Sequence, residues 1–336
     1  MSDLASSPDA GIRVRSFVIR DLLLGKHGTV EPRGVQIRGC QILGDPQGSL
    51  NLNSIKFAAG LRLYHCWLNV AIEAHGARIP WLQFKWVHLP HLHADRVVVD
   101  GSVELNRTVT TRGSQWGMVR MVDSQVGGNL ELGHCTLSND LGAAVQLEGI
   151  RITGSLILRD TVATVTSLND GVVKLTRAQI GGDVTFNSAR LENVHGPVLS
   201  ARSLVVAGSV LFEDEFVARA DYSNALIQLA NARIGASLTF CATSASRRDA
   251  TLTNPRGNCL DLRSAIVNRV AIPDATLCGK QEGKGRAYNG RNLCLLPRYV
   301  ELDGFSYTSL DPRGAGASTW LHWLLHHSPR RDSRPI

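Results

Sequence analysis

The residues best suited to chemistry stand in one short run, HLPHLHAD, in which His88, His91 and His93 precede Asp95. Imidazoles and a carboxylate this close together are the donor set of a transition-metal site. Side chains alternate along an extended segment, so His91 and His93 face one side together. Leu89 and Leu92, however, carry the apolar repeat of the chain. That turns the histidines outward, into solvent, and no metal site is assigned to them.

A second candidate is the run GKQEGKGRAYNGR, from Gly279 to Arg291. Its glycines and cations could cradle a phosphate on backbone N–H groups. It lacks the GxxxxGK[ST] order and leads into no helix, so it reads as a surface loop. No GxGxxG follows a strand-like run, and no GxSxG or HExxH occurs. The carboxylates are dispersed, with no pair to assign to glycoside chemistry. No catalytic, cofactor-binding or metal-ligating residue is therefore assigned, and no cofactor is expected.

The elements that would have to position any such site come from a repeat. The pattern Gly-x-apolar-x-apolar opens at Gly101, Gly128, Gly154, Gly182 and Gly208, and Ala236 begins a sixth copy. The steps are 27, 26, 28, 26 and 28 residues. Counted from the glycine, slots −9, −7, −2, +2 and +4 are apolar in every copy. They run from Leu92, Ala94, Val99, Val103 and Leu105 to Ile227, Leu229, Ile234, Leu238 and Phe240. All 30 positions are filled this way, although 43% hydrophobic content would fill only about 13 by chance.

Apolar-x-apolar triplets separated by two or three residues are very short strands with one buried face, joined by tight corners. A single coil of such strands leaves its faces and edges bare, so coils must stack. The fold class expected is all-β, a right-handed β-helix of about 20–28 residues per coil with short helical caps. GSLNL at Gly48 and AGLRL at Ala59 read as earlier coils, and Leu260, Leu262, Ala265 and Val267 as a later one. The polar insert SASRRDATLTNPRGN should bulge out as a loop.

Four regions follow. Residues 1–30 carry an N-terminal capping helix, read over Ile12–Leu24 with Val14, Phe17, Val18 and Leu22 on one face and Gly25 as its C-terminal glycine. Residues 31–275 form the solenoid. Residues 276–317 hold an irregular terminal coil with the basic loop, and residues 318–336 a short helix and basic tail.

Composition narrows the function classes. Net charge is +7, and Arg supplies 30 of the 36 cations, scattered along the chain rather than gathered on one face. No nucleic-acid partner is expected from that scatter, and the positive sign excludes mimicry of an acidic nucleic acid. The seven cysteines, Cys40, Cys66, Cys135, Cys241, Cys259, Cys278 and Cys294, are odd in number and contain no CxxC. They read as reduced core residues. The opening segment lacks the pattern of a signal peptide, so a cytoplasmic location is expected, with a peripheral position at the inner membrane face as the alternative.

The segments RDLLLGKHGTVEPRGVQIRGCQI, RAQIGGDVTF, NARIGASLTF and YVELDGFSYTSLD resemble the pentapeptide-repeat-like β-helix proteins of actinobacteria, a group often catalogued as membrane-associated oxidoreductases. The resemblance spans nearly the whole chain and implies a solenoid, with redox or membrane association. Its motifs are structural and transfer no catalytic residue. The residues themselves favour a non-catalytic scaffold or protein-interaction module. A redox enzyme or a carbohydrate-active β-helix enzyme is the alternative. The expected partner is another protein, with peripheral membrane contact through the terminal helices as the second expectation.

The repeat supplies one prediction. A glycine that recurs in every coil serves the coil, whereas a dinucleotide site needs a unique glycine turn opening onto a helix. Purified protein should carry no flavin, and should bind NAD(P)H no tighter than about millimolar. A yellow preparation, or micromolar affinity in a fluorescence titration, would restore the oxidoreductase reading.

Overall fold

The computed structural model describes residues 12–273 and 300–314, apart from residues 29, 32, 45–47 and 167–170. The basic loop from Gly279 to Arg291 and the expected C-terminal helix lie outside the described residues, as do Cys278 and Cys294.

The chain is a four-walled parallel solenoid. One coil shows the plan. Arg78–Ile79 forms the first wall, Leu82–Leu89 runs through the second and third, and Leu92–His93 forms the fourth. The next coil repeats it with Val98–Val99, Val103–Asn106, Val109–Thr110 and Val119–Arg120. Each strand pairs in parallel with its equivalents above and below, as Val99 does with Ile79 and Val126. The ladder of the first wall passes through Arg78, Val98, Gln125, Arg151, Gln179, Val205, Arg233, Ile266 and Ser306. Along this ladder the step is 20 residues from Arg78 to Val98, then 26–28, and lengthens towards the last coils; the coils before it are 26–28 and then 21–22 residues long.

All 30 repeat positions are buried. Because each sits over its own equivalent, like stacks on like. Phe186 and Phe212 lie ring on ring at 5.0 Å, and Phe212 and Phe240 at 4.7 Å, with interplanar angles of 7° and 11°. Phe216 leans against Phe212 at 4.9 Å.

The repeat glycines are required by the close approach of successive coils rather than by backbone conformation. Gly128, Gly154, Gly182 and Gly208 are not in the positive-φ region. A Cβ there would strike the coil below: one built on Gly182 would stand 2.4 Å from Ser155 Oγ and 3.0 Å from the Gly154 carbonyl carbon. The side chains following these glycines close the gap. Ser102, Asn129, Ser155 and Asp183 each accept the backbone N–H of the equivalent residue one coil on.

Positive φ falls instead on two corner columns occupied mostly by other residues. One holds His65, Trp86, Arg107, His134, Asp160, Ser188 and Asp214, with φ between 51° and 57°. Left-handed backbone costs such residues about 1–2 kcal/mol each. Ladder bonds hold them there, as Arg107 N–H to the Gly133 carbonyl and His134 N–H to that of Arg159.

Three sequence expectations need correction. The N-terminal cap is a helix only over Ser16–Leu23, because Arg13–Arg15 joins the third wall beside Gln41–Leu43. Ser16, Ile19 and Leu23 are its buried face, while Phe17 and Leu22 are exposed. Gly25 does follow its C-terminus, at φ 70°. The polar insert is not all loop: Thr251–Thr253 pairs with Val217–Arg219, since Thr-Leu-Thr alternates and buries Leu252. GSLNL, finally, belongs to the fourth wall, beside Ala71–Glu73, rather than the second.

Two measurements check this core. Phe212→Ala should lower unfolding free energy by about 3–5 kcal/mol, read from denaturant melts. Cys40, Cys66, Cys135, Cys241 and Cys259 are buried, and the first four form no disulfide. Burial pushes the Cys135 thiol up to about 12. These five should react with a thiol reagent only after unfolding.

Candidate functional site

The fourth wall carries an outward column of polar residues, one per coil: Asn51, Glu73, His93, Arg120, Gln146, Lys174, Ser200, Gln228, Asp261 and Glu301. Neighbours in this column bond to one another and to the corner beside them. Arg120 Nε donates to Asp95 Oδ2 at 2.7 Å and its Nη1 to Gln146 Oε1 at 2.8 Å.

Three of the sequence candidates, His91, His93 and Asp95, lie at one end of this region. His91 and His93 do share a side, stacked at 4.1 Å. His91 is part-exposed, but His93 is not in solvent. His93 is only 6% exposed. The reason is a change in coil length. The connection from the third to the fourth wall is two residues in the coil of His93, Pro90 and His91. In the next coil it spans residues 111–118 and folds over the histidine. His93 Nε2 donates to the Gly117 carbonyl at 2.9 Å, with Ser114 Oγ at 3.3 Å.

Glu73, one coil below, completes a cluster. Its Oε1 stands 3.6 Å from His91 Nε2 and 3.6 Å from His93 Nδ1. The donor atoms of Glu73, His91 and His93 all lie within 4.8 Å of one another. His75 Nδ1 accepts the Asp95 backbone N–H at 3.3 Å, so its Nε2 bears the proton and donates to Glu73 Oε2 at 2.8 Å. Asp95 is held in turn by Arg120 and by the Val122 N–H at 2.9 Å. Burial works to raise the Glu73 carboxyl, but His91, His93 and His75 outweigh it and hold it below its usual value. Burial lowers His93, against the raising effect of the Gly117 hydrogen bond, and so favours the neutral ring.

His88 lies elsewhere, on the third wall, stacked on Trp67 at 4.3 Å. It belongs to a surface that the sequence reading did not single out. His65 stacks on Trp86 at 4.7 Å, with Tyr64 edge-on to both. Four cations surround these rings: Arg38 over Tyr64 at 4.8 Å, Lys85 over Trp86 at 4.6 Å, Arg107 over Trp86 at 5.5 Å, and Arg62 over Trp81 at 5.4 Å. An open cleft of about 470 Å³ runs between Arg38, Arg62, Tyr64, Gln83 and Lys85. Tyr64 and Trp67 occupy outward ladder slots of the first coils, and His65 and Trp86 the corner column beside them. The same corner column turns acidic further on, at Asp160 and Asp214. Three tryptophans within 20 residues, with Arg78 and Lys85 between them, were the available signal.

Among known proteins, no family model, no curated sequence and no solved structure matches this chain. Among the described residues, no helix is long and apolar enough to cross a membrane.

Asn139 fixes the loop that covers His93. Its Nδ2 donates to the Ser114 and Ala143 carbonyls at 2.8 and 2.7 Å, and its Oδ1 accepts the Ser114 N–H at 3.0 Å. Asn139→Ala should cost about 1–3 kcal/mol by orphaning these groups. Faster hydrogen exchange over residues 111–118 would register the loosened loop.

Proposed function

We propose that this chain is a non-catalytic scaffold that docks a protein partner through the aromatic–cationic face of its first coils. The observation behind this reading is the cluster of Tyr64, Trp67, Trp86, Arg38, Lys85 and Arg107 on the outside of the walls. None of the six belongs to the buried core. Trp, Tyr and Arg are the residues that dominate binding energy at protein interfaces, because they bring large contact area with little flexibility. The parallel ladder beneath holds their backbone rigid, so little ordering opposes association. The four surrounding cations favour an acidic surface on the partner, which would approach a chain of net charge +7 under attraction.

The reading has a direct test. Full-length protein is immobilised and exposed to lysate of its source cells, beside a Lys85→Ala/Trp86→Ala/Arg107→Ala variant of matched melting temperature. Partners should be retained by the parent and lost from the variant, and their retention should weaken as salt rises. Equal retention by both proteins would remove this face as the docking surface.

A further inference from the structure

We propose that Glu73, His91 and His93 form a binding site for a divalent transition-metal ion of the zinc class, with Glu73 Oε1, His91 Nε2 and His93 Nδ1 as its ligands. The first argument is the state of His93. A carbonyl can only accept, so the bond to Gly117 fixes the proton on Nε2 and leaves Nδ1 with a bare lone pair. That lone pair faces a carboxylate oxygen at 3.6 Å. Two electron-rich atoms face each other from a ring that is 6% exposed. A cation between them turns this repulsion into two bonds.

The second argument is His91. Its Nδ1 is buried with no partner, and its Nε2 comes no nearer to Glu73 than 3.6 Å, too far for a hydrogen bond. An ion on Nε2 would bridge that nitrogen to Glu73 Oε1, with Nδ1 keeping the ring proton. Metal–ligand bonds of about 2.0–2.2 Å in a tetrahedral site put neighbouring donors roughly 3.3–3.5 Å apart. The two measured separations of 3.6 Å are already close to that, and a modest swing of the His91 ring closes the rest.

The third argument is the surrounding shell. Metal-bound histidines characteristically donate their other N–H to a carbonyl, and ligating carboxylates are themselves hydrogen-bonded. His93 does the first, towards Gly117. Glu73 shows the second, its Oε2 taking the proton of His75 while Oε1 points at the two histidines. The donor set of two imidazoles and one carboxylate suits zinc and its neighbours rather than calcium or magnesium. Three protein ligands leave a position open. Glu73 and His91 are part-exposed, so that position faces solvent, where water or a carboxylate from outside can fill it. Among the described residues the cluster occurs at one place along the axis, where the coil length changes.

The test uses untagged full-length protein stripped with a chelator. Calorimetric titration with Zn²⁺ should show one equivalent bound with micromolar or tighter affinity. Co²⁺ should give the visible bands of a low-coordinate nitrogen–oxygen site. Glu73→Gln and His91→Ala, both part-exposed and so compatible with folding, should each weaken binding at least about tenfold. His75→Ala, which removes only the support of Glu73, should weaken it about 10- to 100-fold. His134→Ala, on another wall, should change nothing. Three outcomes would overturn the site: no binding tighter than about millimolar, affinity unchanged in Glu73→Gln and His91→Ala, or the intense near-ultraviolet absorption of Co²⁺ on thiolate.

Discussion

The structure depends on one constraint: every backbone N–H and C=O of a wall points along the solenoid axis and must meet its counterpart in the next coil. The parallel ladder fixes the register, and the register fixes the rest. Inward side chains have to stack on their own equivalents, so a slot that admits Val in one coil admits Val, Leu or Ile in all. Corners have to turn at the same point in each coil, so Trp86, Arg107 and His134 accept a left-handed backbone that a free chain would give to glycine. Glycine is then kept for the place where two coils come closest, at Gly128, Gly154, Gly182 and Gly208.

This explains which parts were legible in the sequence. Inward slots repeat because packing repeats, and a fixed step of 26–28 residues exposes them at once. The sixth copy, with Leu238 and Phe240, has alanine in place of glycine and is still recognisable, because burial rather than glycine defines the slot. Where apolar content is thin, the reading fails. Leu252 is a lone apolar residue between threonines, and the strand it anchors is visible only through its pairing with Ala218. In the N-terminal helix, hydrophobicity alone favoured Phe17 and Leu22. Strand pairing of Arg13–Arg15 delays the helix start and rotates Ile19 and Leu23 inward instead.

The outward residues were harder to read, for a physical reason. Alternation places His93 outside its wall, which is correct, but outside a wall is not the same as in solvent. What covers His93 is a loop of the following coil, 21 to 24 residues further on at Ser114 and Gly117. Nothing in the local pattern around His93 records it. The aromatic–cationic face was missed for a different reason. Its residues occupy outward slots and a corner column, and only their juxtaposition across four coils makes a surface of them.

A stacked repeat separates stability from function in a particular way. The core asks the same thing of each coil, so selection on packing is uniform along the axis. The outer slots ask nothing of the ladder and are free to differ. A property that appears once, at one axial position, therefore cannot come from the fold. The rings and cations near Trp86 and the histidines near Glu73 are both of this kind. They share coils but stand on different walls, and so need not interfere. The long connection of residues 111–118 ties the second of these features to the architecture. It comes where the 20-residue coil gives way to longer ones, and it encloses His93 without altering a single ladder pairing beneath.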